Sequence, residues 1–122
     1  MAKSVHNDVL DGALNIIKNN SNLMTVCSAE PTTRTEAVTT YALGDVAMVS
    51  GDFTVAEGDT SGRKATVGTK SSVNVDATGT GTHVALSDAT RLLYVTTCTS
   101  QALTSGNTIT FPAWDIEIAD PS

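Results

Sequence analysis

The chain is short of the side chains that most enzymes and most nucleic-acid binders depend on. It has two histidines, two cysteines and seven Lys and Arg residues against thirteen Asp and Glu. Aromatic residues make up only 4% of it: two Tyr, two Phe and one Trp. No run approaches the roughly 20 apolar residues of a membrane span. Each shortage excludes something. With so few basic residues, scattered from Lys3 to Arg91, the chain lacks the basic face that displaces counterions from nucleic-acid phosphates. With so few aromatics there is little material for the exposed ring platforms of a carbohydrate-binding module. Asp8 and Asp11 interrupt the N-terminal segment, so it does not read as a secretion signal. The expectation is a soluble protein made in the cytoplasm, binding neither nucleic acid nor membrane.

Catalytic constellations are equally scarce. His6 falls in the first turn of a helix and His83 opens a strand. Both read as surface or partly buried rings. No Gly-x-Ser-x-Gly elbow is present to expose a serine nucleophile. Cys27 with His6, or Cys98 with His83, would be the thiol–imidazole pairs, but their spacing favours neither. There is no Cys-x-x-Cys and no paired His on a helix face to hold a metal. Glu57 and Asp59 lack the ordered carboxylate spacing of a calcium loop and read as a solvated turn. Gly79 and Gly81 run into a strand, whereas a phosphate cradle runs into a helix. No catalytic, cofactor or metal site is therefore expected, and no cofactor. The two cysteines read as buried thiols in strands, or as a disulfide formed after release from the cell.

Threonine and serine are what the chain has in quantity: 20 Thr and 11 Ser among 122 residues. Thr is β-branched and favours strands, and Ser serves turns. That length suits a single domain, 1–122, able to bury a core without staples. One helix stands out, over residues 5–19. Val5, Val9, Ala13 and Ile16 recur at helical steps, widened by Leu10, Leu14 and Ile17. Ser4 is the expected cap, and the Asn-rich run from Asn19 to Asn22 is the expected stop.

From Leu23 to Ala119 the period drops to two. Strands are expected over 23–28, 45–50, around Phe53 and Val55, and over 63–67 and 72–76, the last two as a hairpin. Thr35 to Tyr41 has room for a turn of helix. Residues 77–82 read as a small-residue connector into a strand at 83–86. Residues 91–99 are apolar on both faces and predict a central strand. Pro112 interrupts any ladder after 108–111, and Trp114, Ile116 and Ile118 alternate into a half-buried last strand. The fold class is mainly β: an antiparallel sandwich or barrel of seven or eight short strands with one N-terminal amphipathic helix.

Four segments carry a resemblance. They are Val5-His-Asn-Asp-Val-Leu-Asp-Gly-Ala-Leu-Asn-Ile-Ile17, Gly79-Thr-Gly-Thr-His-Val-Ala-Leu-Ser-Asp88, Leu92-Leu-Tyr-Val-Thr-Thr-Cys98 and Thr110-Phe-Pro-Ala-Trp-Asp-Ile-Glu-Ile118. Together the chain resembles small virion structural proteins of tailed bacteriophages, most closely after Asp76 and least between Pro31 and Lys70. The resemblance implies a virion component without enzymatic activity, and by preference a capsid decoration, or cement, protein. Its implied partner is the major capsid protein of the same phage, met on the outer head shell by a homo-oligomer, a trimer being favoured. A tail or head–tail connector component is the alternative, and a small carbohydrate-binding module a further one. The residues expected at interfaces are Val5, Val9 and Leu10 on the helix, Glu57 and Asp59 in the acidic loop, and Phe111 and Trp114, since Trp is enriched at binding hot spots.

Overall fold

The computed structural model describes residues 4–120 and is mainly β, with one N-terminal helix. Helix α1 spans Asn7–Asn20. Nine strands follow among the described residues: β1 Leu23–Cys27, β2 Ala42–Ala47, β3 Phe53–Glu57, β4 Arg63–Val67, β5 Lys70–Asn74, β6 Gly79–Ser87, β7 Leu92–Leu103, β8 Thr108–Phe111 and β9 Trp114–Ile118. They form three antiparallel sheets, ordered β2-β1-β6-β7, β3-β4-β9 and β5-β8. Buried side chains from all three meet in one core, including Met24, Val26, Leu86, Phe53, Val67, Val73 and Phe111.

Helix α1 starts two residues later than expected. His6, not Ser4, caps it: its Nδ1 accepts from the Asp8 N–H at 3.0 Å. Val5 therefore precedes the helix. The buried face is Leu10 and Leu14 with Ile17 beside them, while Val9 and Ile16 stay 65% and 49% exposed. The apolar stripe is wider than the contact it makes: Leu10, Leu14 and Ile17 take the core side, and Val9 and Ile16 stay outside it.

The four-stranded sheet is buried on both faces along β1 and β6. A turn of π-helix at Glu36–Thr40 covers its outer face, where Cys27, Ala37 and Ala85 form a second small cluster with Leu92 and Val95. This explains one correction. Residues 91–99 were expected at the centre because both faces are apolar, but β7 lies at the sheet edge. Its first half packs on both sides; from Thr97 to Ala102 it is exposed.

Two further expectations fail for packing reasons. Residues 77–82 are not a connector, because β6 begins at Gly79. A Cβ at Gly79 would lie 2.9 Å from Leu43 Cδ2, and one at Gly81 would lie 2.8 Å from Val26 Cγ2. The glycines let those side chains lie against the strand backbone. Nor do β4 and β5 form a hairpin. β4 pairs with β3 and β9, and β5 pairs with β8, so the chain changes sheets at Gly68 and Thr69. The strand expected at 45–50 is shifted back, to Ala42–Ala47.

Candidate functional site

Arg63 and Trp114 mark opposite ends of the β3-β4-β9 sheet. The register aligns Glu57, Arg63 and Ile118 at one end and Phe53, Val67 and Trp114 at the other. At the first end the polar groups are latched to each other. Arg63 Nε donates to Asp11 Oδ1 on α1 at 2.8 Å, and its Nη1 donates to Glu57 Oε1 at 2.8 Å. Lys64 reaches Asp59 at 2.6 Å. The Glu117 carboxylate accepts the Asp59 N–H, and Gly62 turns the loop with φ +70°. Elsewhere Lys18 donates to the Ser50 and Phe53 carbonyls, Lys70 pairs with Asp52, Arg34 donates to the Asp88 carbonyl and Arg91 pairs with Asp88. Every cationic side chain among the described residues is engaged within the chain.

The Trp114 end is open. Pro112 has no N–H to give a ladder, so the chain leaves β8 at Phe111 and enters β9 at Trp114, crossing from one sheet to another. Facing that crossing, β7 bulges. Thr97 pairs with His83 and Gln101 with Gly81, so three residues of β7, Cys98 to Ser100, stand opposite Thr82 alone. Extra residues in one strand bend it and re-aim its side chains. Between the bulge and the crossing lies a cleft of about 400 Å³. Val26, Val84, Leu103, Phe111 and Trp114 supply apolar walls, with Thr96, Thr99 and Gln101 among the polar residues.

Trp114 stacks on Tyr94, their ring centroids 5.8 Å apart and planes 27° off parallel. Its Nε1–H is buried and meets no acceptor among the described residues. A buried donor without a partner is uncommon in folded proteins. The outer edge of β7, beside the cleft, carries no strand partner. Two carboxylates lie near β7: Asp115 lines the cleft, where it meets Lys64 at 3.5 Å and accepts from the Thr66 hydroxyl at 2.8 Å, and exposed Glu30 lies with His83 and Thr97 in a second, shallower hollow.

The residues expected at interfaces separate on these two ends. Phe111 and Trp114 come together in the cleft wall. Glu57 and Asp59 belong to the latched end, and Leu10 faces the core, only 7% exposed. Val5 is half-buried ahead of the helix, and Val9 is exposed on it. The strand side of the cleft, Thr96 to Gln101, was missed. Its Thr-rich composition reads as ordinary strand, and only pairing across β6 exposes the bulge.

Cys98, expected buried, is exposed in the bulge, and both thiols are free. Partial burial still pushes the Cys98 thiol above its ordinary pKa, which keeps it protonated at neutral pH. Burial does the same to Cys27, against a hydrogen bond with Thr25 that lowers it. A protonated thiol is a poor nucleophile and a poor metal ligand. Among the described residues no three His, Cys, Asp or Glu side chains gather as a metal site, and no helix is long and apolar enough to cross a membrane. What the cleft offers is apolar surface, hydrogen-bonding hydroxyls and a free strand edge: the chemistry of binding. Comparison with protein-family models, curated proteins and solved structures finds no match for this chain.

Proposed function

We propose that the chain is a non-enzymatic structural protein of a tailed-phage virion, a decoration protein that binds the outer surface of the head shell. The observation that carries the binding part is the bare outer edge of β7 beside an apolar cleft. A free strand edge offers backbone hydrogen bonds to a partner, and an adjoining cleft offers side-chain selectivity. The virion part rests on the resemblance of the four segments. The remainder of the surface suits the role: its described cations are engaged internally, and the net charge of −6 keeps free copies apart before assembly. Many copies, each with a modest interface, then act together through multivalency. A trimeric assembly is part of the proposal.

The test is binding of the purified chain to intact heads of its phage, with the copy number counted by quantitative mass spectrometry. The proposal expects saturable binding, copies on the order of hundreds per head, and trimers by light scattering. A handful of copies confined to one vertex contradicts it. The same bare edge favours one alternative, a tail component whose copies add strands to one another. Purified chain that closes into rings or tubes without heads supports that reading instead. The carbohydrate-binding reading loses its best platform, since the Trp114 ring is stacked on Tyr94.

A further inference from the structure

The cleft's shape and charge say more about its occupant than the proposed function does. Its volume, about 400 Å³, is at the small end of ligand sites, enough for a side chain and the backbone that carries it. Its walls are aliphatic and aromatic around Val84, Leu103 and Phe111, which selects an apolar side chain. The polar groups of the unpaired β7 edge run beside it in strand geometry, which selects an extended backbone. Carboxylates outnumber cations here. Asp115, at the cleft, shares the single Lys64 ammonium with Asp59, at 3.5 Å and 2.6 Å, and exposed Glu30 across the strand has no ion-pair partner among the described residues. The net charge around the cleft is negative, which favours a basic partner over an anionic one. Trp114 is among the residues that line the cleft, and its buried Nε1–H has no partner among the described residues.

We propose that this cleft receives an extended segment of a partner protein, with one aliphatic side chain held between Phe111 and Thr99 and basic residues flanking it. The inference rests on reading the chain as a docking module, and it names the chemistry of what docks. It does not depend on whether the partner is in a head or a tail.

The full chain carries its own reporter, because Trp114 is its single tryptophan. The probe is the capped peptide acetyl-Arg-Val-Leu-Val-Arg-amide, titrated against ¹⁵N-labelled chain. The indole Nε1–H signal and the tryptophan fluorescence are both followed. The inference expects saturable movement of both. Replacing the central Leu of the peptide by Ser weakens binding by about tenfold or more. Replacing both Arg by Glu weakens it further and reverses the salt dependence. Thr99→Phe, an exposed change at the cleft, removes binding while leaving the folded spectrum intact. No saturable movement with the wild-type chain overturns the inference, as does equal binding of the Glu peptide. If N-butylacetamide binds as tightly as the peptide, the cleft is a small-molecule site and the peptide assignment is wrong. Heads separate this from the proposed function. Thr99→Phe that binds heads as well as wild type overturns the cleft assignment alone. Wild-type chain that ignores heads yet takes up the peptide overturns the decoration reading alone.

Discussion

The two ends of the β3-β4-β9 sheet meet the same physical problem in opposite ways. At the Arg63 end, helix, loop and strand are tied by charge: Asp11, Glu57, Asp59 and Glu117 all have partners within the chain. At the Trp114 end, a proline interrupts the ladder, a bulge pulls β7 aside, and apolar walls stay open to solvent. The first end is closed by its own residues. The second is left open, with β7 at the sheet edge. A small domain has few charges to place; here Lys64 is the described cation that reaches a cleft residue, Asp115 at 3.5 Å, and it pairs more closely with Asp59 at 2.6 Å. On the proposed reading, stability and recognition fall to different ends, and each can be perturbed without the other.

The largest effect belongs to the helix that Arg63 latches at the closed end. Leu14 is fully buried where α1 joins the core, so Leu14→Ala leaves a cavity. It is expected to cost about 2–5 kcal/mol in denaturant unfolding. Ile16→Ser, on the exposed face of the same helix, is expected to change stability by less than about 0.5 kcal/mol. Equal losses at both positions would show that the outer stripe is packed and that the closed end is wrongly drawn.

The next effect sits at the open end. Gly81 lines the cleft, and an added Cβ would press on Val26 and on Leu103 Cδ1, 3.3 Å away. Gly81→Ala is expected to destabilise by about 1–3 kcal/mol, as overpacking does. It should also narrow the cleft, so loss of peptide binding beyond the loss of folded protein is the sharper readout. Unchanged stability would mean that β6 does not lie against Val26 as described.

A smaller effect depends on pH and concerns the turn that starts β7. Asp88 accepts the Thr90 N–H at 2.8 Å and pairs with Arg91. The Thr90 hydrogen bond first, then the contacts with Arg91, outweigh burial and hold its pKa down to about 2. The sign follows from linkage. A carboxyl whose folded pKa is depressed stabilises the fold above its ordinary pKa, and that contribution is lost as the proton goes on. Thermal midpoints should fall as pH drops from about 4 toward about 2. Asp88→Asn should lower the midpoint at pH 7 and flatten that acid limb. An acid limb unchanged by the substitution would assign the loss to other carboxylates.

The smallest is Asp45 on β2. Partial burial, and then the charge of Asp76, push its carboxyl above the ordinary range. Here the sign is reversed: the ionised form is disfavoured in the fold, so neutral pH costs stability and acid relieves it. Asp45→Asn is expected to stabilise slightly at pH 7, by less than about 0.5 kcal/mol because the residue is exposed and screened. The gain should vanish in acid.

The sequence made the mainly β class and the single helix legible, because composition and period act locally. Thr-rich alternation, one amphipathic stripe and Pro112 are all visible without a partner strand. Which apolar face of the helix is buried was not legible. Val9 and Leu10 look equivalent until β3 and β4 are in place. Position within a sheet was not legible either. Residues 92–98 are apolar on both faces, but the second face is covered by the π turn, a feature with no periodic signal. Gly79 and Gly81 looked like a flexible connector because the reason for them lies 36 and 55 residues away, at Leu43 and Val26. The cleft was half legible. Phe111 and Trp114 stood out as rare residue types, whereas Thr96 to Gln101 gain meaning only from the bulge opposite Thr82.

The contrast between the two ends is tested most directly by hydrogen exchange on the chain, free and bound to intact heads. The account predicts that binding slows exchange along the outer edge of β7 and around Trp114, with α1 and the 57–62 loop unchanged. Protection confined to α1 or to that loop, with β7 exchanging as in the free chain, would contradict it.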